Sequence, residues 1–238
     1  MTASDIELAA DLPVFSGLGS AELARILESA SIERFPANAD LFSEGDRPKV
    51  LQTIISGTVE IFSDRSGRDW GVMLMTAGDV LTPGAVLFDE VYTISARTLS
   101  PCRILVIDAE RVRAEATTSA PFAMRLSRAM AGQFRVAMRQ VLDLKSRNAA
   151  QRLASFLLKV ADRSGAPAPE LPMRKRNLAA RIGMTPETLS RTLQILADNG
   201  LVVRGRQIIV RDRERIEQFC GADANRSPLD ESLQVHVL

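Results

Sequence analysis

A chain of 238 residues, 46% hydrophobic and 25% charged, is long enough for two ordinary domains and has the composition of a folded globular protein, not a disordered one. No apolar run approaches bilayer-spanning length, and the acidic N-terminus (Met1–Asp11) lacks the basic segment of a secretory signal, so a cytoplasmic protein without membrane contact is expected. The net charge of +1 hides a segregation: residues 1–118 hold ten basic and eighteen acidic residues (−8), residues 171–215 ten and four (+6), as if the second segment seeks a polyanion.

Cys102 and Cys220 stand far apart with no CxxC or Cys/His spacing, and the one histidine is His236. This argues against a metal site, an iron–sulfur cluster or histidine-ligated haem, and for two reduced thiols packed as small hydrophobes. No nucleophile–base pair and no phosphate-cradling glycine loop is present, and Pro83-Gly84 is too little to claim one. An enzyme is therefore not expected.

In chain order, residues 5–30 read as helical, with Leu8, Leu12, Leu18, Leu23, Ile26 and Leu27 partly at helical spacing and a break at Pro13 and Gly17. From Ile32 to Ile107 short β-rich runs (Thr53–Ile55, Thr58–Phe62, Val72–Met75, Tyr92–Thr98, Arg103–Ile107) alternate with glycine-bearing turns, which predicts an antiparallel sandwich or barrel. A long helix, Pro121 to Arg147, carries Leu126, Met130, Phe134, Ala137, Val141 and Leu144 at steps of four and three. That spacing is a coiled-coil seam, so these six residues are expected to form a dimer interface, alongside or instead of packing on the chain's own β-domain. A second helix, Ala149 to Ala161, shows Leu153, Phe156, Leu157 and Val160 on one face. Residues 164–172 form a linker or a loop leading into a short strand.

The segment that follows is the most informative. Arg174-Lys175-Arg176 leads into a helix at Asn177–Ile182; Gly183 and Met184 make a turn; Thr185 is a candidate N-cap, with Pro186 at the first helical position. The second helix runs to Asn199-Gly200, with Leu189, Leu193 and Leu196 towards a core and Glu187, Thr188, Arg191 and Gln194 on the opposite face. Leu201–Val203 and Gln207–Val210 then flank Arg204-Gly205-Arg206 as a basic hairpin. Helix, turn, helix and basic hairpin make a winged helix-turn-helix. Glu187 and Arg191 lie one turn apart, where arginine can read guanine and glutamate can accept from cytosine. An intrahelical ion pair would use the same spacing, but the surrounding motif favours base reading. Arg174, Lys175, Arg176, Arg204 and Arg206 are the candidate phosphate contacts.

This order of parts, over about residues 15–215, resembles the cyclic AMP receptor protein/FNR family of transcription regulators. Gly45, Gly57 and Gly78 match the family's β-roll glycines, and Gly-Met-Thr-Pro-Glu-Thr-Leu-Ser-Arg at 183–191 is close to its recognition-helix motif. The resemblance implies an α+β protein: a β-roll sensor at 1–118, a dimerisation helix at 119–147, a winged helix-turn-helix at 148–220, and a tail at 221–238. It implies double-stranded DNA and a second copy of the chain as partners, and RNA polymerase as a further one. Glu187, Ser190 and Arg191 look like the Glu-x-x-Ser-Arg readers of FNR-type members. Pro186 stands where the cyclic AMP receptor has arginine, which implies a TTGA-like half-site with Ser190 near a thymine methyl. Ser95–Leu99 and residues 178–191 also resemble FtrB-type activators.

The sensor departs from the family's cyclic AMP chemistry. Thr82-Pro83-Gly84-Ala85-Val86-Leu87 has no glutamate where the family holds the ribose, and the phosphate-arginine position falls at about Tyr92-Thr93. Gly84, Tyr92, Thr93 and Arg97 are the candidate effector-pocket residues, Arg97 being the only nearby cation. A buried phosphate diester needs a countercharge, so cyclic AMP is not expected and the effector stays unassigned. A competing expectation is a ligand-binding signalling module acting through protein contacts, against which the basic hairpin argues.

Overall fold

In the computed structural model, residues 3–65, 68–164, 169–171 and 175–221 are described. The helical opening is two helices, α1 (Ala3–Ala10) and α2 (Ser20–Leu27), with Gly17 between them at φ +78°. Helix α2 buries Leu23, Ile26 and Leu27, the three-and-four spacing that puts side chains on one face.

Eight strands follow: β1 (Ser31–Phe35), β2 (Asp40–Phe42), β3 (Val50–Ser56), β4 (Val59–Arg65), β5 (Arg68–Met75), β6 (Val80–Leu81), β7 (Ser95–Thr98) and β8 (Cys102–Asp108). They form two antiparallel four-stranded sheets, ordered β1-β8-β3-β6 and β2-β7-β4-β5. Strand β8 shows why one run reads as continuously apolar. Ile104 and Val106 face a core shared with Val59, Ile61 and Ala96 of the other sheet, while Leu105 and Ile107 face the helices. A strand buried on both faces cannot alternate with polar residues. The five anticipated strands correspond to β3, β4, β5, β7 and β8; the short β1, β2 and β6 carry too few residues for a period to show.

Two helices and the first part of a third complete this unit. The six-residue α3 (Pro83–Phe88) lies between two left-handed residues, Thr82 (φ +39°) and Asp89 (φ +52°). Helix α4 (Ala109–Thr118) is capped by the Asp108 carboxylate, which accepts from the Arg111 amide at 3.0 Å. The long helix α5 (Ala120–Ser146) starts where the Ser119 hydroxyl accepts from the Phe122 amide at 3.1 Å.

The chain divides into two units, the first ending at Arg135 and the second beginning at Val136. The second holds α6 (Ala149–Ser164), α7 (Lys175–Ile182), α8 (Pro186–Asp198), β9 (Leu201–Arg204), β10 (Gln207–Val210) and α9 (Arg213–Cys220). Helix α6 buries Leu153, Phe156, Leu157 and Val160, the face the sequence predicts. Residues 169–171 run beside β10, with Ile208 donating to the Pro169 carbonyl and Leu171 to the Arg206 carbonyl, each at 2.8 Å. The tail beyond Gly221, with His236, lies outside the described residues.

Candidate nucleic-acid interface and effector cavity

Local chemistry sets the helix-turn-helix. Gly183 takes φ +74° between α7 and α8, a left-handed turn that suits glycine. The Thr185 hydroxyl accepts from the Thr188 amide at 3.2 Å, so the predicted cap forms with Pro186 behind it. Helix α8 buries Leu189, Thr192 and Leu196. Thr192 takes the core position expected of Leu193, which is only half-buried; its hydroxyl donates to the Thr188 carbonyl at 2.8 Å and so carries no unmet polarity inside.

The opposite face is open. Glu187, Thr188, Ser190, Arg191 and Gln194 are all exposed, together with Ile195, an apolar residue on that face that the polar pattern did not flag. Among the described residues no ion pair joins Glu187 to Arg191. The Glu187 carboxyl is held below the usual glutamate range, first by its own backbone amide and then by the Thr185 hydroxyl. It is thus an ionised acceptor in the first turn of α8, where the helix dipole also favours negative charge.

The hairpin turns at Gly205 (φ +60°), with Arg204 opposite Gln207. Arg204 and Lys175 are exposed. Arg206 behaves differently from the expected phosphate contact. Its guanidinium donates to the Leu171 carbonyl at 2.7 Å and lies 3.6 Å from the Glu170 carboxylate, because the strand segment at 169–171 brings both acceptors beside it. Arg174 and the Arg176 side chain lie outside the described residues.

The first unit has a cavity of about 290 Å³ between α3, the segment at 90–93 and α5. Gly84, Tyr92 and Thr93 line it, as do Thr82, Met130 and Gln133. Arg97 does not. It sits directly across from Glu60 in the β4–β7 register and pairs with that carboxylate through Nη2 (2.8 Å) and Nε (3.0 Å), with its guanidinium 4.3 Å above the Phe62 ring. Glu60 is 3% exposed, and a carboxylate so buried demands its countercharge; Arg97 is the residue that supplies it. Burial, and then the Asp46 charge, push the Tyr92 phenol up to about 12.

Helix α5 carries two stripes where the sequence shows one. Leu126 is fully buried in its own unit's core with Phe122, and Met130 is half-buried and lines the cavity. Phe134 (66% exposed), Val141 and Leu144 are open, Ala137 is half-buried, and Met124 and Met138 are exposed as well. The outward run Met124, Ala131, Phe134, Met138, Val141 keeps heptad steps of seven, three, four and three. The predicted stripe crosses from the inner face to this outer one.

Cys102 and Cys220 are free, buried thiols, each raised by desolvation. Among the described residues no group of three or more His, Cys, Asp or Glu side chains is placed to hold a metal ion, and no helix is long and apolar enough to cross a membrane.

Comparisons with known proteins place these parts. Residues 32–119 match the cyclic nucleotide-binding domain family and residues 151–219 the Crp-like helix-turn-helix domain family. The chain is 26% identical over 192 residues to the cAMP-activated global transcriptional regulator CRP of Pasteurella multocida, covering 77% of this chain and 91% of that protein. Its fold is that of FixK2 from Bradyrhizobium japonicum, with TM-score 0.69 and 24% identity over 79% of this chain and 96% of that one. The c-di-GMP responsive global regulator CLP of Xanthomonas campestris has the same fold, with TM-score 0.68 and 23% identity over 82% of this chain and 100% of that one. With a cyclic nucleotide-binding domain, a long helix and a Crp-like helix-turn-helix in this order, the chain has the domains of the CRP/FNR-type transcription regulators.

Proposed function

We propose that the chain is a non-catalytic cytoplasmic regulator, related to FtrB-type activators, that reads a palindromic TTGA-type site as a homodimer. The observation that carries this reading is the exposed constellation of Glu187, Thr188, Ser190 and Arg191 on the first turns of α8, unpaired with one another in charge and set on a capped helix end. Arg191 donates to guanine O6 and N7, Glu187 accepts from cytosine N4, and Ser190 meets a thymine methyl. Arg204 and Lys175, with Arg174 and Arg176, sit on phosphates and carry no sequence information. The outward stripe of α5 supports dimerisation, which sets two half-sites about one helical turn apart. An effector in the β-domain cavity biases the balance between DNA-binding and idle states, and RNA polymerase is the partner of an activator bound in this way.

The test is a gel shift of purified protein on a TTGA palindrome. Arg191→Ala is expected to weaken specific binding by about 1–3 kcal/mol and to relax discrimination at the guanine it faces. Equal affinity of Arg191→Ala and the parent for the palindrome would rule the reading out.

A further inference from the structure

Residues i, i+3, i+4 and i+7 of an α-helix share one face, and recognition helices of the homeodomain type read the major groove from that spacing. In α8 the first three places are held by Glu187, Ser190 and Arg191. The fourth is Gln194. It is exposed, and its amide has no hydrogen-bond partner among the described residues. The next place on this face, four residues on, is Asp198, whose exposed carboxylate would meet phosphates of its own sign. Gln194 is therefore the last polar group along this face that suits DNA.

The backbone beneath it is fixed. Thr192 and Leu196 are buried on the opposite side, Leu196 completely, and the Ile195 carbonyl accepts from the Asn199 side chain at 2.8 Å, which closes the last turn. A side chain on a helix held in this way is presented at a defined height and direction. A rise of about 1.5 Å per residue puts Gln194 about 4.5 Å beyond Arg191 along the axis, against about 3.4 Å between successive base pairs. It faces a base pair within about two steps of the guanine assigned to Arg191. The carbonyl oxygen and amide nitrogen of glutamine match the N6 donor and N7 acceptor of adenine, a combination that no other base presents in the major groove. Its neighbour Ile195, 46% exposed, adds an apolar side chain to this otherwise polar face, and the methyl of thymine is the apolar feature of that groove.

We infer that α8 reads an A·T pair beyond the guanine of Arg191, with Gln194 bonded to the adenine edge and Ile195 against the methyl of the thymine paired with it. The inference rests on the proposed reading of Arg191 for the place of this pair.

Selection of bound duplexes from a random pool by the full chain presupposes no site. The parent is expected to enrich one adenine per half-site, within about two base pairs of the guanine that Arg191→Ala ceases to select. Gln194→Ala keeps the guanine and loses the adenine. It binds the parent's site about five- to 150-fold more weakly per half-site, the range of one bidentate base contact. Gln194→Glu, which accepts from cytosine N4 but cannot donate to N7, turns the preference from adenine to cytosine, a gain that misfolding does not produce. Gel shifts with altered bases then isolate each contact. 7-Deazaadenine, which lacks only the N7 acceptor, costs the parent about two- to tenfold per half-site and Gln194→Ala nothing. Deoxyuridine in place of the paired thymidine, which lacks only the methyl, costs the parent about fourfold and Ile195→Ala nothing. An adenine still selected by Gln194→Ala, or equal 7-deazaadenine penalties in the two chains, overturns the inference, and equal deoxyuridine penalties remove Ile195 from it. A TTGA-type core with no adenine that depends on Gln194 leaves the reading of Arg191 standing and refutes this inference. An adenine that depends on Gln194 beside a different core keeps the inference and refutes the TTGA site. A parent chain that selects no sequence overturns both.

Discussion

Gly200 joins the recognition helix to the hairpin, and its replacement by alanine measures how tightly that junction is built. The residue takes φ +90°, and its carbonyl accepts from the Arg211 and Asp212 amides at 2.7 and 3.2 Å. A Cβ added there would stand 2.6 Å from the Asp212 Cβ and 2.7 Å from the Asp212 carbonyl oxygen, atoms fixed to the backbone that cannot swing aside. Gly183 is the matched control: its φ is +74°, and a Cβ there meets nothing within 4 Å among the described residues. Both substitutions carry the left-handed cost of about 1–2 kcal/mol, of which about 0.4–1 kcal/mol returns through the stiffer unfolded chain. Gly183→Ala is therefore expected to destabilise by about 1 kcal/mol. Gly200→Ala adds an overpacking cost of about 1–3 kcal/mol, for a total of about 2–4 kcal/mol. Hydrogen-exchange mass spectrometry on peptides spanning residues 186–212 reports this local opening energy without requiring the chain to unfold in one step. Gly200→Ala should also lose the gel shift before Gly183→Ala does. If the two variants exchange alike, the close approach of Asp212 does not govern the junction and the reasoning fails.

Arg204→Ala should weaken DNA binding evenly across sequences and make the slope of log affinity against log salt shallower by about 1 per chain; an unchanged slope would remove Arg204 from the phosphate contacts. On α5, Met138→Glu should convert dimer to monomer in sedimentation velocity while leaving thermal stability near that of the parent. Leu126→Ala should instead cost about 2–5 kcal/mol of stability, as a core truncation, and a stable monomer from Leu126→Ala would reverse the assignment of the two stripes. Tyr92 is the chain's one tyrosine, so absorbance titration reports it alone. The phenol should ionise near 12 in the folded protein against about 10 when unfolded. Because the folded state then keeps a proton that the unfolded state has lost, stability should fall as pH rises from about 10 to 12, and ionisation at the ordinary value would refute the burial.

The DNA-binding end was largely legible because its signals are local. A threonine followed by proline starts α8, and Gly183 and Gly200 bound it. Apolar residues three and four apart choose its core face, and two β-runs around Gly205 close the hairpin; each acts over a few residues, through caps and backbone conformations that the residue types themselves favour. The β-domain was legible as a class for the same reason, through glycine turns and the apolar run of β8. Other assignments depended on groups far apart in sequence. Arg97 left the effector pocket because Glu60, 37 positions earlier, is its strand neighbour and needs the charge. Arg206 is tied down by Glu170 and Leu171, 35 or more positions away in the chain. Leu126 is buried and Met138 exposed although both fit a helical repeat, since periodicity identifies a face but not what that face meets. The helix-turn-helix could largely be read from its local signals; the pairing of Arg97 with Glu60 could not, because an arginine's role depends on which carboxylate the fold brings beside it.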